Sequence, residues 1–287
     1  SFAASDNRFH YFRKENGGLG SARNYGLTKV KADWLSFIDA DDYIHPRYIE
    51  SLLDVAHFGN DLVISDFDHV TSDGRFIERK QLSQYWENTS AAKQALLSGS
   101  ECYAWNKLYR TSHFSRAGYL FGDGWFEDIS VVPAIIMSAH SIGYTGHAYY
   151  NYVQRADSLV KISAKDLYKN FDIFKNYKLL DEKKRDLNPD LWEEYYEWMM
   201  PRHLFLFRMA ALRQEPLHER RVQLVREFSE QLNATVPGWS ETAFIRQWLN
   251  EPRRQIHRFA RRTLVEAYKT GEPRFYSRLE SLNRYGF

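Results

Sequence analysis

The sequence predicts an α/β fold, a mostly parallel sheet with flanking helices, plus a C-terminal α-helical region. Two observations lead to this prediction. Strand-like and helix-like segments alternate to about residue 150, which is the rhythm of βαβ units. From about residue 165 the chain is rich in Leu, Glu, Arg, Lys and aromatic residues and has few strand patterns. We therefore expect an α/β domain over residues 1–162 and a helical region over residues 163–287.

Short local patterns predict the individual elements. In chain order they are a strand over 9–12, a helix over 20–30, an apolar strand over 34–39, a helix over 46–58 and a strand over 61–67. Pro46 suits the first turn of its helix. In the second region, apolar stripes predict helices over 217–232, 241–249 and 261–269, and prolines separate the segments.

Composition excludes several classes of protein. The net charge of +2 argues against a dedicated nucleic-acid binder, which is usually far more basic. Cys102 is the single cysteine, so an intramolecular disulfide is impossible and a reducing compartment is the simpler interpretation. No stretch reaches the apolar length that a membrane-spanning helix needs. We therefore expect a cytoplasmic protein without a nucleic-acid partner.

Three acids follow the apolar strand in the stretch FIDADDYIHP, residues 37–46. Asp39, Asp41 and Asp42 are delivered to the edge of the sheet, where open α/β sheets bind ligands. Carboxylates this close repel one another unless a cation neutralises them, and oxygen ligands suit Mg²⁺ or Mn²⁺. The alternative is that Asp42 caps the helix that begins near Pro46. The stretch alone leaves both interpretations open.

A glycine-rich stretch, NGGLGSARNYGL, covers residues 16–27. Its glycines permit unusual backbone angles and the close approach of a ligand. Arg23 follows at a predicted helix start, where a guanidinium and backbone N–H groups can meet an anion. The spacing is not that of the dinucleotide-binding fingerprint. The alternative is an ordinary turn with Arg23 as a solvated charge.

Two later stretches also carry chemically useful side chains. Glu127 and Asp128 precede an apolar helix-like run, where acids either favour a helix N-terminus or supply a general base. Trp105, Asn106 and Lys107 offer a stacking face, an amide and a charge side by side. The alternative for this second stretch is a strand with ordinary alternation of its two faces.

Taken in order, these motifs resemble those of the family 2 glycosyltransferases of the GT-A fold. The series is N-x-G-x-G-x-A-R-N at 16–24, D-x-D-D at 39–42, W-N-K-L-Y at 105–109 and F-E-D at 126–128. A fifth segment, YYNYVQRADSL at 149–159, is similar to that family's aromatic-then-R-x-x-S segment. The resemblance covers about residues 7–160.

The resemblance implies an inverting glycosyltransferase. It would move a sugar from a nucleoside-diphosphate sugar, commonly a UDP-sugar, to a glycan or lipid-linked acceptor, with a divalent metal (Mn²⁺ or Mg²⁺). By the same resemblance, Asp128 is the general base with Glu127 beside it, and Asp41 and Asp39 ligate the metal. The donor-binding residues would be Arg23, Asn16, Gly17, Asp39, Arg155 and Ser158, and those for sugar or acceptor Trp105, Asn106 and Lys107.

The sequence departs from that family at its start. The family's first strand, helix and strand, about 50 residues or more than one βαβ unit, have no counterpart here. We expect that the sequence is part of a longer protein; a natural truncation and strands supplied by another chain are the alternatives. A non-catalytic glycan-binding or scaffolding relative is the rival function. A third possible function is a transferase that forms sugar nucleotides. Such an enzyme would need a glycine-rich nucleotide-binding loop at the start of the chain.

Two expectations concern partners. The basic stretch over residues 252–262 has Ile256 and Phe259 interleaved, a composition that can rest on the anionic inner surface of a membrane. A solvated helix face is the commoner meaning of such a charge run. Homo-oligomerisation stays open.

Overall fold

A computed structural model of the chain describes seven segments, residues 5–82, 88–99, 102–116, 118–155, 168–204, 218–251 and 255–272. The strands are β1 (Trp34–Leu35), β2 (Tyr43–Ile44), β3 (Leu62–Ile64), β4 (Phe67–Thr71), β5 (Phe76–Lys80), β6 (Lys107–Arg110), β7 (Ile142–Tyr144) and β8 (Tyr150–Gln154). The helices of the first region are α1 (Gly18–Leu27), α2 (Tyr48–Ala56), α3 (Thr89–Gly99), α4 (Thr111–Arg116) and α5 (Val132–Ser138).

All regular structure described after residue 168 is helical, as predicted. Its α-helices are α6 (Asp172–Asp181), α7 (Pro189–Glu194), α8 (Met200–Arg202), α9 (His218–Thr235), α10 (Ala243–Asn250) and α11 (Gln255–Thr270). A π-helical turn, Tyr195–Met199, joins α7 to α8. Among the described residues, no helix combines the length and apolar character that crossing a bilayer requires.

The strands form two mixed sheets. The first has the order β1-β6-β3-β7, and the second has the order β2-β8-β4-β5. In each sheet one described pair is parallel, β3 with β7 and β4 with β8, and the other pairs are antiparallel. The α/β class was predicted correctly, but the pairing is mixed rather than mostly parallel. The short strands β6 and β8 run antiparallel to neighbours that lie far from them in sequence. Hydrophobic periodicity predicts a strand but not the direction in which it pairs.

Most predicted elements exist with shifted ends, and one does not. Residues 9–12, predicted as a strand, are exposed and have no regular structure. Their alternating aromatic pattern gives no strand because no described strand pairs with them. The strand predicted over 34–39 is regular only at Trp34–Leu35, and the residues after it form the loop that carries the acids. The predicted helix over 46–58 is α2, which buries Tyr48, Leu52 and Ala56.

The two regions share one hydrophobic core. A single cluster of buried side chains contains Leu35 and Tyr109 from the first sheet together with Phe174, Phe228 and Tyr268 from the helices. The helical region therefore packs against the α/β region and shares its core, and it does not form a separate appendage. The predicted boundary at residue 162 lies outside the described residues, so the division into two domains stays a prediction.

Helix α6 of the second region supports a loop of the first. Asn176 Nδ2 donates to the Trp125 carbonyl oxygen at 2.9 Å, and the Trp125 N–H donates to Asp172 Oδ2 at 2.9 Å. Asn176 is fully buried. This loop leads directly into Glu127 and Asp128, so the helical region helps to hold the acids that the sequence singled out.

Candidate active site

One buried guanidinium joins three of the sequence motifs. Arg23 Nη2 donates to Asp39 Oδ1 at 2.8 Å, and Arg23 Nη1 donates to Glu127 and to Asp128. The aromatic rings of Phe37 and Phe121 lie 5.9 and 5.4 Å from the guanidinium carbon. Arg23 thus connects α1, the acid loop after β1 and the acidic turn before α5.

Charge in this cluster is unbalanced. Burial opposes ionisation of Arg23, but attraction from Asp128, Asp39 and Glu127 raises the pKa of its guanidinium further above the ordinary value. Burial and the neighbouring Asp128 raise the pKa of Glu127 to about 8, although Arg23 opposes the rise. Burial also raises the pKa of Asp39. Besides burial, the raised pKa of Glu127 reflects three carboxyl groups that share one buried arginine, because a proton on Glu127 lowers the excess of negative charge there.

Gly20 allows α1 to reach this cluster. A Cβ atom at Gly20 would lie 2.1 Å from the carbonyl oxygen of Gly122 and 3.2 Å from Glu127 Cβ. The sequence predicted the close approach of a ligand to the glycine-rich stretch, and that stays a prediction. What Gly20 approaches in the structure is the loop before Glu127. Any larger residue at position 20 would push α1, and Arg23 with it, away from the acids.

We expect Gly20→Ala to lower the free energy of unfolding by about 3 kcal/mol, because backbone atoms must shift to admit the methyl group. The measurement is urea denaturation followed by circular dichroism. Gly26→Ala on the same helix is the matched control. A Cβ atom there meets nothing within 4 Å, so alanine should raise stability by about 0.5 kcal/mol through its better helix propensity. Equal stability of the two variants would contradict this role of Gly20.

The acidic turn exposes one acid more than the other. Phe126 precedes it with a φ of 64°, and Glu127–Ser130 forms one turn of 3₁₀-helix. Asp128 Oδ2 accepts a hydrogen bond from the Ala104 N–H at 3.0 Å. The side chain of Asp128 is 17% exposed, against 9% for Glu127. Asp128 is therefore the acid of this turn that a ligand can reach more readily, and its orientation is fixed from two sides.

The acid loop is organised by strand β8. Tyr150 Oη donates to Asp42 Oδ2 at 2.7 Å and accepts from the Asp39 N–H at 3.2 Å. The Val153 N–H donates to Asp42 Oδ1 at 2.9 Å. Burial raises the pKa of Asp42 to about 6, against the two hydrogen bonds that lower it. Asp42 ties the loop to β8 and does not cap α2, whose N-terminus has no side-chain cap.

The same loop fits a hard divalent cation. Carboxylate oxygens of Asp39, Asp41 and Asp42 lie within 4.8 Å of one another. Both oxygens of Asp42 are already engaged, whereas Asp39 Oδ2 and Asp41 Oδ1 have no hydrogen bond within the described part of the chain. Asp41 is half exposed and forms an ion pair with Arg155 at 2.7 Å. All donors are oxygen atoms, the ligand type that Mg²⁺ and Mn²⁺ prefer.

The three residues predicted to contact a sugar are buried. Trp105 is stacked between aromatic side chains, with ring centroids 4.7 Å from Tyr103 and 4.7 Å from Tyr150. Asn106 and Lys107 have no exposed surface. Lys107 Nζ donates to Asn106 Oδ1 at 2.8 Å and to the Tyr103 carbonyl at 2.8 Å. The prediction of direct sugar contact is therefore not supported, because their surfaces are taken by core packing and internal hydrogen bonds.

The remaining predicted donor-binding residues are dispersed around the site. Asn16 Oδ1 accepts from the Gly18 N–H at 3.1 Å, which shapes the turn at Gly17 before α1. Arg155 follows β8 and contacts the acid loop. Ser158 lies outside the described residues. The predicted role of these residues in donor binding stays a prediction.

Sequence reasoning missed two groups that fix the acids. Tyr150 links Asp42 to the backbone of Asp39, although its hydroxyl lies over 100 positions away in sequence. The Ala104 N–H orients Asp128. Tyr150 falls within the aromatic segment that carried the resemblance, but no spacing rule indicated its partner. A backbone N–H leaves no signal in a sequence.

Comparison with known proteins shows similarity to glycosyltransferases. Residues 1–118 match the model of "Glycosyl transferase family 2". Residues 1–118 are therefore similar to glycosyl transferase family 2. It is 30% identical over 176 residues to "Putative glycosyltransferase EpsH" of Bacillus subtilis, a stretch that covers 59% of this chain and 51% of EpsH. The chain thus spans about half the length of that relative.

Two Staphylococcus aureus proteins extend the comparison. The chain is 31% identical over 102 residues to the poly(ribitol-phosphate) beta-N-acetylglucosaminyltransferase TarP, covering 35% of this chain and 30% of TarP. The structure of TarS residues 1–349 superposes with a TM-score of 0.66 at 16% identity, covering 94% of this chain and 72% of that one. At this identity the likeness shows the fold alone, and it confirms the predicted GT-A-type α/β fold.

Proposed function

We propose that the chain is an inverting glycosyltransferase that moves a sugar from a nucleoside-diphosphate sugar, with UDP as the nucleotide, to a glycan or lipid-linked acceptor. The observation that carries this proposal is the placement of Arg23, which gathers Asp39, Glu127 and Asp128 at one point. Glu127 and Asp128 lie beyond the residues that match the family model. Their convergence with the acid loop disfavours a non-catalytic relative.

Asp39 and Asp41 would hold the divalent cation beside the donor diphosphate. When bound, the cation neutralises charge on the diphosphate as the bond to the sugar breaks. Arg155 lies at the same loop and adds a positive charge there. Asp42 and Tyr150 keep the loop in place. These residues form the donor side of the proposed site.

Asp128 would act on the acceptor side as the general base. Its carboxylate accepts the proton of the acceptor hydroxyl while that oxygen forms a bond to the anomeric carbon. The bond from the anomeric carbon to the diphosphate oxygen breaks in the same step, and the electron pair leaves with the nucleoside diphosphate. A single displacement inverts the anomeric carbon, so the chain needs no nucleophile of its own. Each carboxylate oxygen of Asp128 accepts one hydrogen bond within the chain and keeps a second lone pair that can accept the proton.

The acceptor and location belong to the same proposal. The name of TarP describes transfer of a sugar to a polymer, which supports a polymeric acceptor here. Nucleotide-sugar donors imply a cytoplasmic site of action, and the buried thiol of Cys102, which lies 3.9 Å from Tyr195 Oη, is compatible with it. Contact with the inner membrane surface through residues 252–262, and homo-oligomerisation, stay predictions.

Calorimetric titration of UDP, with and without Mn²⁺, tests the donor side. We expect binding that depends on Mn²⁺ and weakens at least tenfold in Asp41→Ala, a loss of about 1.4 kcal/mol. Asp54→Ala is the control, since Asp54 is an exposed acid of α2 away from the loop. Unchanged affinity in Asp41→Ala would refute the metal assignment. Failure of the folded wild-type chain to bind UDP would mean that UDP is not the donor nucleotide or that binding needs the family's first strands, which have no counterpart here.

A further inference from the structure

A groove of about 560 Å³ lies between α3, the π-helical turn and α10. It lies among helices of both regions and contains none of the acids described above. Its volume falls in the range of small-molecule pockets. Four aromatic side chains line it, Tyr195, Trp198, Phe244 and Trp248. Trp198 is 37% exposed, so its ring is available at the surface.

Planar polar groups share the groove with the rings. Gln94, Glu194, Gln247 and Glu251 provide amide and carboxylate oxygens, and Arg202 provides a guanidinium. The two carboxylates are balanced by Arg202 and by Arg261, which pairs with Glu251 at 3.0 Å. The groove therefore has no excess of positive charge for a diphosphate or another anion. The amides and carboxylates equally disfavour a purely apolar ligand such as an acyl chain. A ligand that has both C–H surfaces and many hydroxyl groups suits this lining. The aromatic rings pack on its C–H surfaces, and the amide, carboxylate and guanidinium groups form hydrogen bonds with its hydroxyl groups.

The walls of the groove are fixed before any ligand arrives. The π-helical turn that carries Trp198 is of a type that recurs at functional sites. Glu197 in that turn accepts from the Ala243 N–H at 2.7 Å and so holds the start of α10. The guanidinium carbon of Arg261 lies 4.5 Å from the ring centroid of Trp248. Gln94 Nε2 donates to Glu194 Oε2 at 3.0 Å and ties α3 to α7. Such preorganisation lowers the entropy lost on binding.

We propose that this groove binds a neutral oligosaccharide, part of the acceptor glycan, at a site separate from the acids around Arg23. This inference rests on the proposed function, because it takes the bound oligosaccharide to be part of the acceptor of the proposed glycosyl transfer. Sugar rings stack on Trp198 and Trp248, and their hydroxyl groups pair with the amide and carboxylate ends opposite. The helical region then contributes acceptor affinity while the α/β region carries the chemistry.

Saturation-transfer difference NMR tests the proposal on the full chain. The probes are neutral tetrasaccharides of glucose, galactose, N-acetylglucosamine and rhamnose. We expect at least one to bind, with affinity at least fivefold weaker in Trp198→Ala and in Trp248→Ala. Phe58→Ala, which removes an exposed aromatic ring at the end of α2, is the control and should bind as the wild type does. Circular dichroism establishes that each variant is folded.

The other outcomes are informative. No binding of any tetrasaccharide by the wild-type chain, or binding that both tryptophan variants retain, would overturn the proposal. Self-association that Trp248→Ala abolishes would assign the groove to an interface between copies and overturn it as well. UDP with Mn²⁺ should not displace the tetrasaccharide. Tetrasaccharide binding by a chain that does not bind UDP would support the oligosaccharide site and count against the proposed donor nucleotide.

Discussion

Replacing Asp128 with asparagine is expected to lower kcat by about 10³, within the range that removal of a general base costs. Asparagine keeps the shape of the side chain and an oxygen that can accept from the Ala104 N–H. It cannot take the proton of the acceptor hydroxyl. The affinity for UDP with Mn²⁺ should stay within about twofold of the wild type, because Asp128 lies on the acceptor side. The measurement is UDP release with the sugar donor and acceptor pair that supports turnover.

Glu127→Gln is the matched comparison for Asp128→Asn. Burial and Asp128 raise the pKa of Glu127 to about 8, so its carboxyl takes up a proton more readily than an ordinary glutamate, and glutamine keeps the shape of that protonated form. We expect Glu127→Gln to lower kcat by about tenfold or less. A larger loss in Glu127→Gln than in Asp128→Asn would reverse the roles of the two acids. Equal UDP release by Asp128→Asn and the wild type would remove Asp128 as the base.

Several features of the site follow from sequence alone, and they are the local ones. Asp39, Asp41 and Asp42 were expected together at the end of a buried strand, and their oxygens do cluster. The glycine-rich stretch was expected to admit a ligand, and in the structure Gly20 instead admits the loop before Glu127. Each of these inferences needs only neighbouring residues and the geometry of a strand end or a tight turn. The helices of the second region were predictable for the same reason, since their stripes are local.

Other features depend on contacts across the fold. The pattern Trp-Asn-Lys is the same whether the side chains face a ligand or the core, and the structure buries Trp105, Asn106 and Lys107. Arg23 looked like an anion-binding residue, but its partners lie 16, 104 and 105 positions away and are carboxylates of the chain itself. A local pattern gives the type of a side chain and its charge. It does not give the partner that the fold brings to it.

Arg23→Met is expected to lower the free energy of unfolding at pH 8 by about 3–5 kcal/mol, the cost of leaving buried charges without their partner. Methionine retains much of the apolar stem between Phe37 and Phe121 but no charge. Asp39, Glu127 and Asp128 would then repel one another in a buried space. Arg23→Lys should lose less, because an ammonium keeps the charge but cannot serve all three acids with the geometry of a guanidinium.

The loss in Arg23→Met should depend on pH with a definite sign. The pKa of Glu127 is raised in the folded chain, and removing Arg23 removes a group that lowers it. A raised pKa in the folded state contributes stability at low pH that is lost as pH rises. Urea denaturation should therefore show a smaller difference from the wild type at pH 5 than at pH 8. Arg8→Met is the control, because Arg8 pairs with Asp6 at 2.6 Å but is 83% exposed, so no measurable change is expected. A midpoint for Arg23→Met equal to that of the wild type at pH 8 would show that the three acids do not need this arginine.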